Sequence, residues 1–299
     1  RVGELFAGIV GDPEGNPIMG ALSDSVIRDE KGNMENYKYY NDNNFVSSYR
    51  ISKFVVDWMR ERGDMRLPKL AEMMIKLDGK NADPTDLANY KGVIPNPGAT
   101  GDNNNTDMED GSQSRLKSKW YLEPVGPSAM NIGYPEQEFI LAEAALRGWT
   151  EDDPETHYLN GIRAAHEFLG VSSADTRAYL GHEKVQFKGS DTEKLGKIIT
   201  EKYLNFFMQG GNEAYFELRR TGYPDFSAYL THNTDQIYND GYLPLRYRYP
   251  QSEIDNNNAQ VSEAIKRLDK GDDRNSRMWL LQGSDPLFNP APFPFRYKN

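Results

Sequence analysis

The sequence contains no cysteine. Disulfides, thiolate nucleophiles and cysteine-bound zinc or iron–sulfur centres are thereby excluded together. Nor is there an apolar run approaching the ~18 residues needed to span a bilayer. Positive charge is also scarce: 35 Lys and Arg stand against 45 Asp and Glu, a formal net charge of −10. Such a field repels phosphate backbones and anionic membrane surfaces, so no nucleic-acid partner is expected. No G-x-S-x-G elbow and no phosphate loop ending in Lys-Ser or Lys-Thr occurs. The four histidines are His157, His166, His182 and His232. None pairs with a Glu in the zinc-protease pattern, and His157 and His166 fall on different turns, so surface or interface positions are expected. The opening RVGELFAGIV has no basic region, apolar core or initiator Met, and reads as a start inside a longer chain.

What is present is a chain of 299 residues, long enough to bury a sizeable core without staples. Its 37% hydrophobic and 27% charged residues are ordinary for a globular protein. The 18 Tyr and 13 Phe exceed what core filling demands, and Tyr suits wet recognition surfaces. Acids are plentiful, but a glycosidase is defined by the separation of one pair, which composition does not give. No enzyme is expected.

Helical signals are strongest in the second half. Ser52–Arg62 places Phe54, Val55, Trp58 and Met59 on one face, with Ser52 as cap and Gly63 as stop. Pro135–Arg147 carries a stripe of Phe139, Ala142, Ala145 and Leu146 and stops before Gly148. Asp153 then caps a helix with Pro154 first, a stripe of Tyr158, Ile162, Ala165 and Leu169, and Gly170 as stop. The short link predicts an antiparallel hairpin. A second pair follows: Thr192–Met208, stopped by Gly210, and Glu213–Arg220, capped by Asn212 and ended by Gly222-Tyr223-Pro224. The fold class expected is mainly α, with degenerate tetratricopeptide-like helix pairs and a loop-rich ligand region. Residues 1–130 form the loop-rich part with short helices, and 131–299 the helical and C-terminal part, integrated as one domain that lacks N-terminal repeats. The tail from Tyr242 alternates turns and short helices, and from Asp285 it is extended. Trp58, Trp149 and Trp279 are read as core.

Glu213 lies in the first turn of its helix and Arg219 and Arg220 in the last, each complementing the helix dipole. The Arg pair can also grip carboxylates or carbonyls of neighbouring helices through its planar forks. The stretch 210–226 is thus structural. Two loop regions combine aromatic rings with amides and acids, the mixture that sugar capture needs. One holds Tyr37, Tyr39, Tyr40 and Asn43, the other Trp120 and Tyr121. Taken singly, each ring is better explained by packing on the scaffold. Asp102, Asn104 and Asp107 are oxygen donors that calcium favours, but the sixth and twelfth loop positions are Asp107 and Gln113, where an EF-hand needs Gly and Glu. A solvated loop fits better, and no cofactor or metal is expected.

The motifs, taken in order, resemble the SusD/RagB family of outer-membrane nutrient-binding lipoproteins. Gly63-Asp64-Met65-Arg66-Leu67 stands where that family usually reads Asp-Pro-Arg, and Tyr90-Lys91-Gly92 matches its Tyr-x-Gly loop. Phe139–Ala144, Gly148-Trp149 and Tyr158–Arg163 match its third repeat. Glu213-Ala214-Tyr215 with Arg219–Pro224 is the most specific element; Leu243-Pro244, Arg248-Tyr249-Pro250, Glu253 and Asn256–Asn258 close the set. The resemblance implies non-catalytic capture of glycans at the cell surface. Delivery would be to a SusC-like TonB-dependent transporter, and membrane attachment only through a lipid-bearing Cys that this sequence does not contain. It implies structural roles for Asp64, Arg66, Glu213, Arg219, Arg220 and Tyr223, and carries over no ligand residue by motif. Two alternatives stay open: capture of peptides or another nutrient, and a helical-repeat scaffold that binds only proteins.

Overall fold

In the computed structural model, the described residues are 9–10, 50–75, 77, 82–93, 111–117, 132–226 and 244–276. They are mainly α. The strands are β1 (Ile9–Val10) and β2 (Arg50–Ile51), paired antiparallel with Ile9 opposite Ile51. Single bridges join Arg50 to Arg115, Ser52 to Val93 and Ala71 to Leu116. The helices are α1 (Lys53–Glu61), α2 (Leu67–Leu70), α3 (Tyr134–Leu146), α4 (Pro154–Phe168), α5 (Ser173–Gly181), α6 (Asp191–Asn205), α7 (Gly211–Thr221), α8 (Gln251–Asn256) and α9 (Asn258–Ile265).

The α3–α4 hairpin follows from its caps. Asp153 accepts from the backbone of Glu155 and Thr156, Pro154 opens α4, and Gly170 beyond its end takes a left-handed φ of 69°. The two helices touch where Gly161 faces Phe139; a Cβ at Gly161 would stand 2.6 Å from the Phe139 ring. Gly161→Ala is therefore expected to overpack this crossing and cost about 1–3 kcal/mol. The check is a lowered urea midpoint at unchanged m-value.

Two apolar clusters form the core. One joins Phe54, Val55 and Met59 of α1 to Tyr203, Leu204 and Phe207 at the end of α6, and to Tyr215, Leu218 and Phe226. The other joins Phe139, Tyr158 and Ile162 to Tyr179, Phe187, Leu195, Ile198 and Ile199. Helix α6 supplies both.

Several expectations need correction. Met208, not Gly210, carries the left-handed backbone after α6, with φ 61°. The chain turns there to bury Phe206, Phe207 and Met208, and Gly210 instead precedes α7 as its N-cap. Asn212 lies inside α7, where its side chain accepts from the Tyr247 hydroxyl. Trp149 is 71% exposed, because Gly148 reverses the chain before it; the Arg147 guanidinium lies beside its ring. Ser52 precedes α1 but makes no capping bond. Trp58 is half-buried against the first cluster, while Trp279 and the tail from 285 lie outside the described residues. Helix α5 is additional. It has one fully buried side chain, Tyr179, so its apolar period is faint, although Ser172 and Asp175 form a readable start signal.

Candidate functional site

The turn after α1 is the best-connected polar site among the described residues. Gly63 enters it with φ 64°, and the Asp64 backbone N–H returns to Met59 O at 2.8 Å. The Asp64 carboxylate accepts from the Arg66 backbone at 2.9 Å, from Nε at 2.9 Å and from Nη2 at 2.6 Å. Arg66 Nη2 also reaches Glu201 Oε2 of α6 at 2.8 Å and the Tyr179 hydroxyl of α5 at 3.3 Å. Tyr179 donates its own proton to Glu201 Oε1. His166 of α4 packs at a tilt against Tyr179, with ring centroids 5.0 Å apart, and its Nε2 lies 3.6 Å from Asp64 Oδ1. Every one of these side chains is buried.

Burial tends to neutralise Arg66, but Asp64 and Glu201 outweigh it and hold the guanidinium well above its ordinary value. Burial, reinforced by Glu201, pushes the Tyr179 phenol up. Burial, with Arg66 adding, pulls His166 down to about 3, against the opposing pull of Asp64. This arrangement fastens four elements to one turn and offers no exposed reacting group.

A second network ties α7 to α3. Arg220 grips both oxygens of Glu143, at 2.6 and 2.7 Å, while Arg147 approaches the same carboxylate at 2.8 Å. Burial opposes the charge on Glu143, but the bonds from Arg220 and Arg147 prevail and hold its carboxyl below the usual range. Arg219 donates to Leu245 O at 2.9 Å and covers the Tyr215 ring. Gly222 ends α7 with φ 81°, a conformation L side chains avoid. The Tyr223 ring then lies against Gly196 of α6, where a Cβ would meet it at 2.8 Å. Glu213 remains exposed and, with Glu136, Asn205 and Gln209, borders a recess of about 50 Å³. That is far below the ~300 Å³ at which ordinary ligand pockets begin.

Tyr37, Tyr39, Tyr40, Asn43, Trp120 and Tyr121 lie outside the described residues, as do Asp102, Asn104 and Asp107. Among the described residues, no group of three or more His, Asp or Glu could hold a metal ion. His166 is no surface histidine; it is fully buried. A signal for this was present, since it falls four residues after Ile162 and next to Ala165, on the apolar stripe of α4. Glu201, three after Ile198, and Glu143, four after Phe139, follow the same logic.

The fold matches the helical frame of SusD homologues. A Bacteroides vulgatus structure, described as an outer-membrane protein with an inferred part in nutrient binding, superposes with a TM-score of 0.72 at 28% identity; the match covers 86% of this chain and 56% of that one. A SusD homologue from Bacteroides fragilis gives 0.70 at 28% identity, covering 90% and 60%. A chitin-binding protein gives 0.65 at 24% identity, covering 85% and 54%. The chain thus spans little more than half the length of these relatives. No curated protein matches it. Residues 3–250 match the SusD-like family model described as starch-binding and associating with the outer membrane, and the chain belongs to that family. Among the described residues, no helix is long and apolar enough to cross a membrane.

Proposed function

We propose that this protein captures glycans at the cell surface, without catalysis, and hands them to a SusC-like TonB-dependent transporter. A lipid anchor would hold it to the outer membrane. The observation that carries this reading is the family match across residues 3–250, whose description pairs starch binding with the outer membrane. The helix pairs act as degenerate tetratricopeptide-like units, part of whose surface meets the transporter, and the loop aromatics Tyr37, Tyr39, Tyr40, Trp120 and Tyr121 meet the sugar, with Asn43 bonding its hydroxyls. Stacking of a pyranose on an aromatic ring supports modest affinity per sugar, because hydration competes.

Calorimetry against a panel of neutral oligosaccharides tests it. Trp120→Ala is expected to weaken binding about 10-fold, the equivalent of ~1.4 kcal/mol. A panel with no binding at all removes the glycan reading. One observation favours a second reading, a nutrient of another class such as peptides: the Bacteroides vulgatus relative is described by nutrient binding with no sugar named. Peptide binding in place of glycan binding would select it.

A further inference from the structure

On α7 and in the segment that packs against it, two exposed rings are held in place. Phe216 is 39% exposed, and Tyr247, in the segment following Pro244, is 58% exposed. Tyr247 packs edge-on against buried Tyr215, with centroids 5.4 Å apart at 61°. Its hydroxyl donates to Asn212 Oδ1 at 3.1 Å. Arg219 lies over both Tyr215 and Phe216, at 4.6 and 4.9 Å, and is tied to Leu245 O at 2.9 Å. Asn212, Phe216 and Arg219 fall at i, i+4 and i+7 and share one helix face.

A side chain usually loses rotamer freedom when a ligand settles on it, which weakens binding. Tyr247 has already lost that freedom, yet more than half of it stays in water. Beside it, the amide oxygen of Asn212 accepts from Tyr247, and among the described residues no acceptor takes its N–H groups, which are the donors a hydroxyl could meet. An apolar ring face next to a fixed amide donor matches a pyranose, which presents C–H groups on one face and hydroxyls at its edge. A stable protein interface fits less well. It needs roughly 800 Å² from each partner around a continuous apolar centre, whereas here the apolar surface is two partly exposed rings flanked by Arg219 and Asn212.

We propose that Tyr247, Phe216 and Asn212 form a sugar-stacking subsite for a neutral glycan, built entirely from residues other than the loop aromatics. It rests on the glycan-capture reading above. The test uses the full-length protein with maltoheptaose, chitohexaose and xylohexaose, comparing wild type, Tyr247→Ala, Tyr247→Phe and Trp120→Ala. Tyr247→Ala is expected to weaken the sugar that binds about 3- to 10-fold, and Tyr247→Phe less than about 2-fold. In wild type, the ring resonances of Tyr247 are expected to shift as that sugar is added; they decide the matter if Tyr247→Ala does not fold. Unmoved resonances with binding intact overturn the subsite and leave glycan capture standing. Loss of a protein partner, with sugar affinity unchanged in Tyr247→Ala, also overturns it. Wild type that binds no sugar overturns both.

Discussion

Arg66→Ala is expected to lower the unfolding free energy by about 3–5 kcal/mol, read from the urea midpoint. The guanidinium is nearly fully buried and is shared by Asp64 and Glu201, themselves buried. Removing it leaves two carboxylates facing each other with no cation between them, and the unpaired charges dominate the cost. Arg66→Lys is expected to recover only part of the loss, because an ammonium cannot bond two carboxylates through one planar fork. A simultaneous change of Asp64, Arg66 and Glu201 to apolar residues of similar volume should cost less than Arg66→Ala alone. Equal stability of Arg66→Ala and wild type would contradict this account of the turn.

Acid is expected to weaken the same site through His166. Its Nδ1 lies 3.2 Å from Thr176 Oγ1, and Thr176 donates its own hydroxyl proton to Ser172 O at 2.9 Å. The imidazole proton therefore sits on Nδ1, and Nε2 faces Asp64 without a hydrogen-bond partner. With the folded value pulled down to about 3 by burial and the unfolded one near 6.5, the unfolded chain binds the extra proton between these limits. Stability is then fully present well above pH ~6.5 and falls as pH drops, by about 1.6 kcal/mol between pH 6.5 and 5. Carboxylates held low by hydrogen bonds, such as Glu143, lose their contribution only in more acidic solution, nearer the ordinary carboxylate value. His166→Leu should flatten the profile over pH 6.5 to 5. An equal slope in that variant would rule His166 out as its source.

The apolar stripes made the helical half readable. Phe139 with Ala142, Tyr158 with Ile162 and Ala165, and Leu195 with Ile198 and Ile199 are buried as their spacing requires. Local chemistry also located the stops at Gly63, Gly148, Gly170 and Gly222, all at positive φ. What escaped the sequence was long-range. Nothing near Arg66 names Glu201, 135 positions away, as its partner, and nothing near Arg220 names Glu143. A buried ion pair leaves a trace only as a charge misplaced on an apolar stripe, as at Glu143 and Glu201. Trp149 shows the reverse failure: its place in the helical scaffold suggested core, and the reversal at Gly148 put it in water.

Helix α6 gives its first turns to one apolar cluster and its last to the other, with Glu201 bonded between. Neither half of the interior can therefore be shed as an independent piece. A loosening that begins at α1 reaches α3 through the same rod, and the backbone amides midway along α6 open to solvent only when the whole frame comes apart.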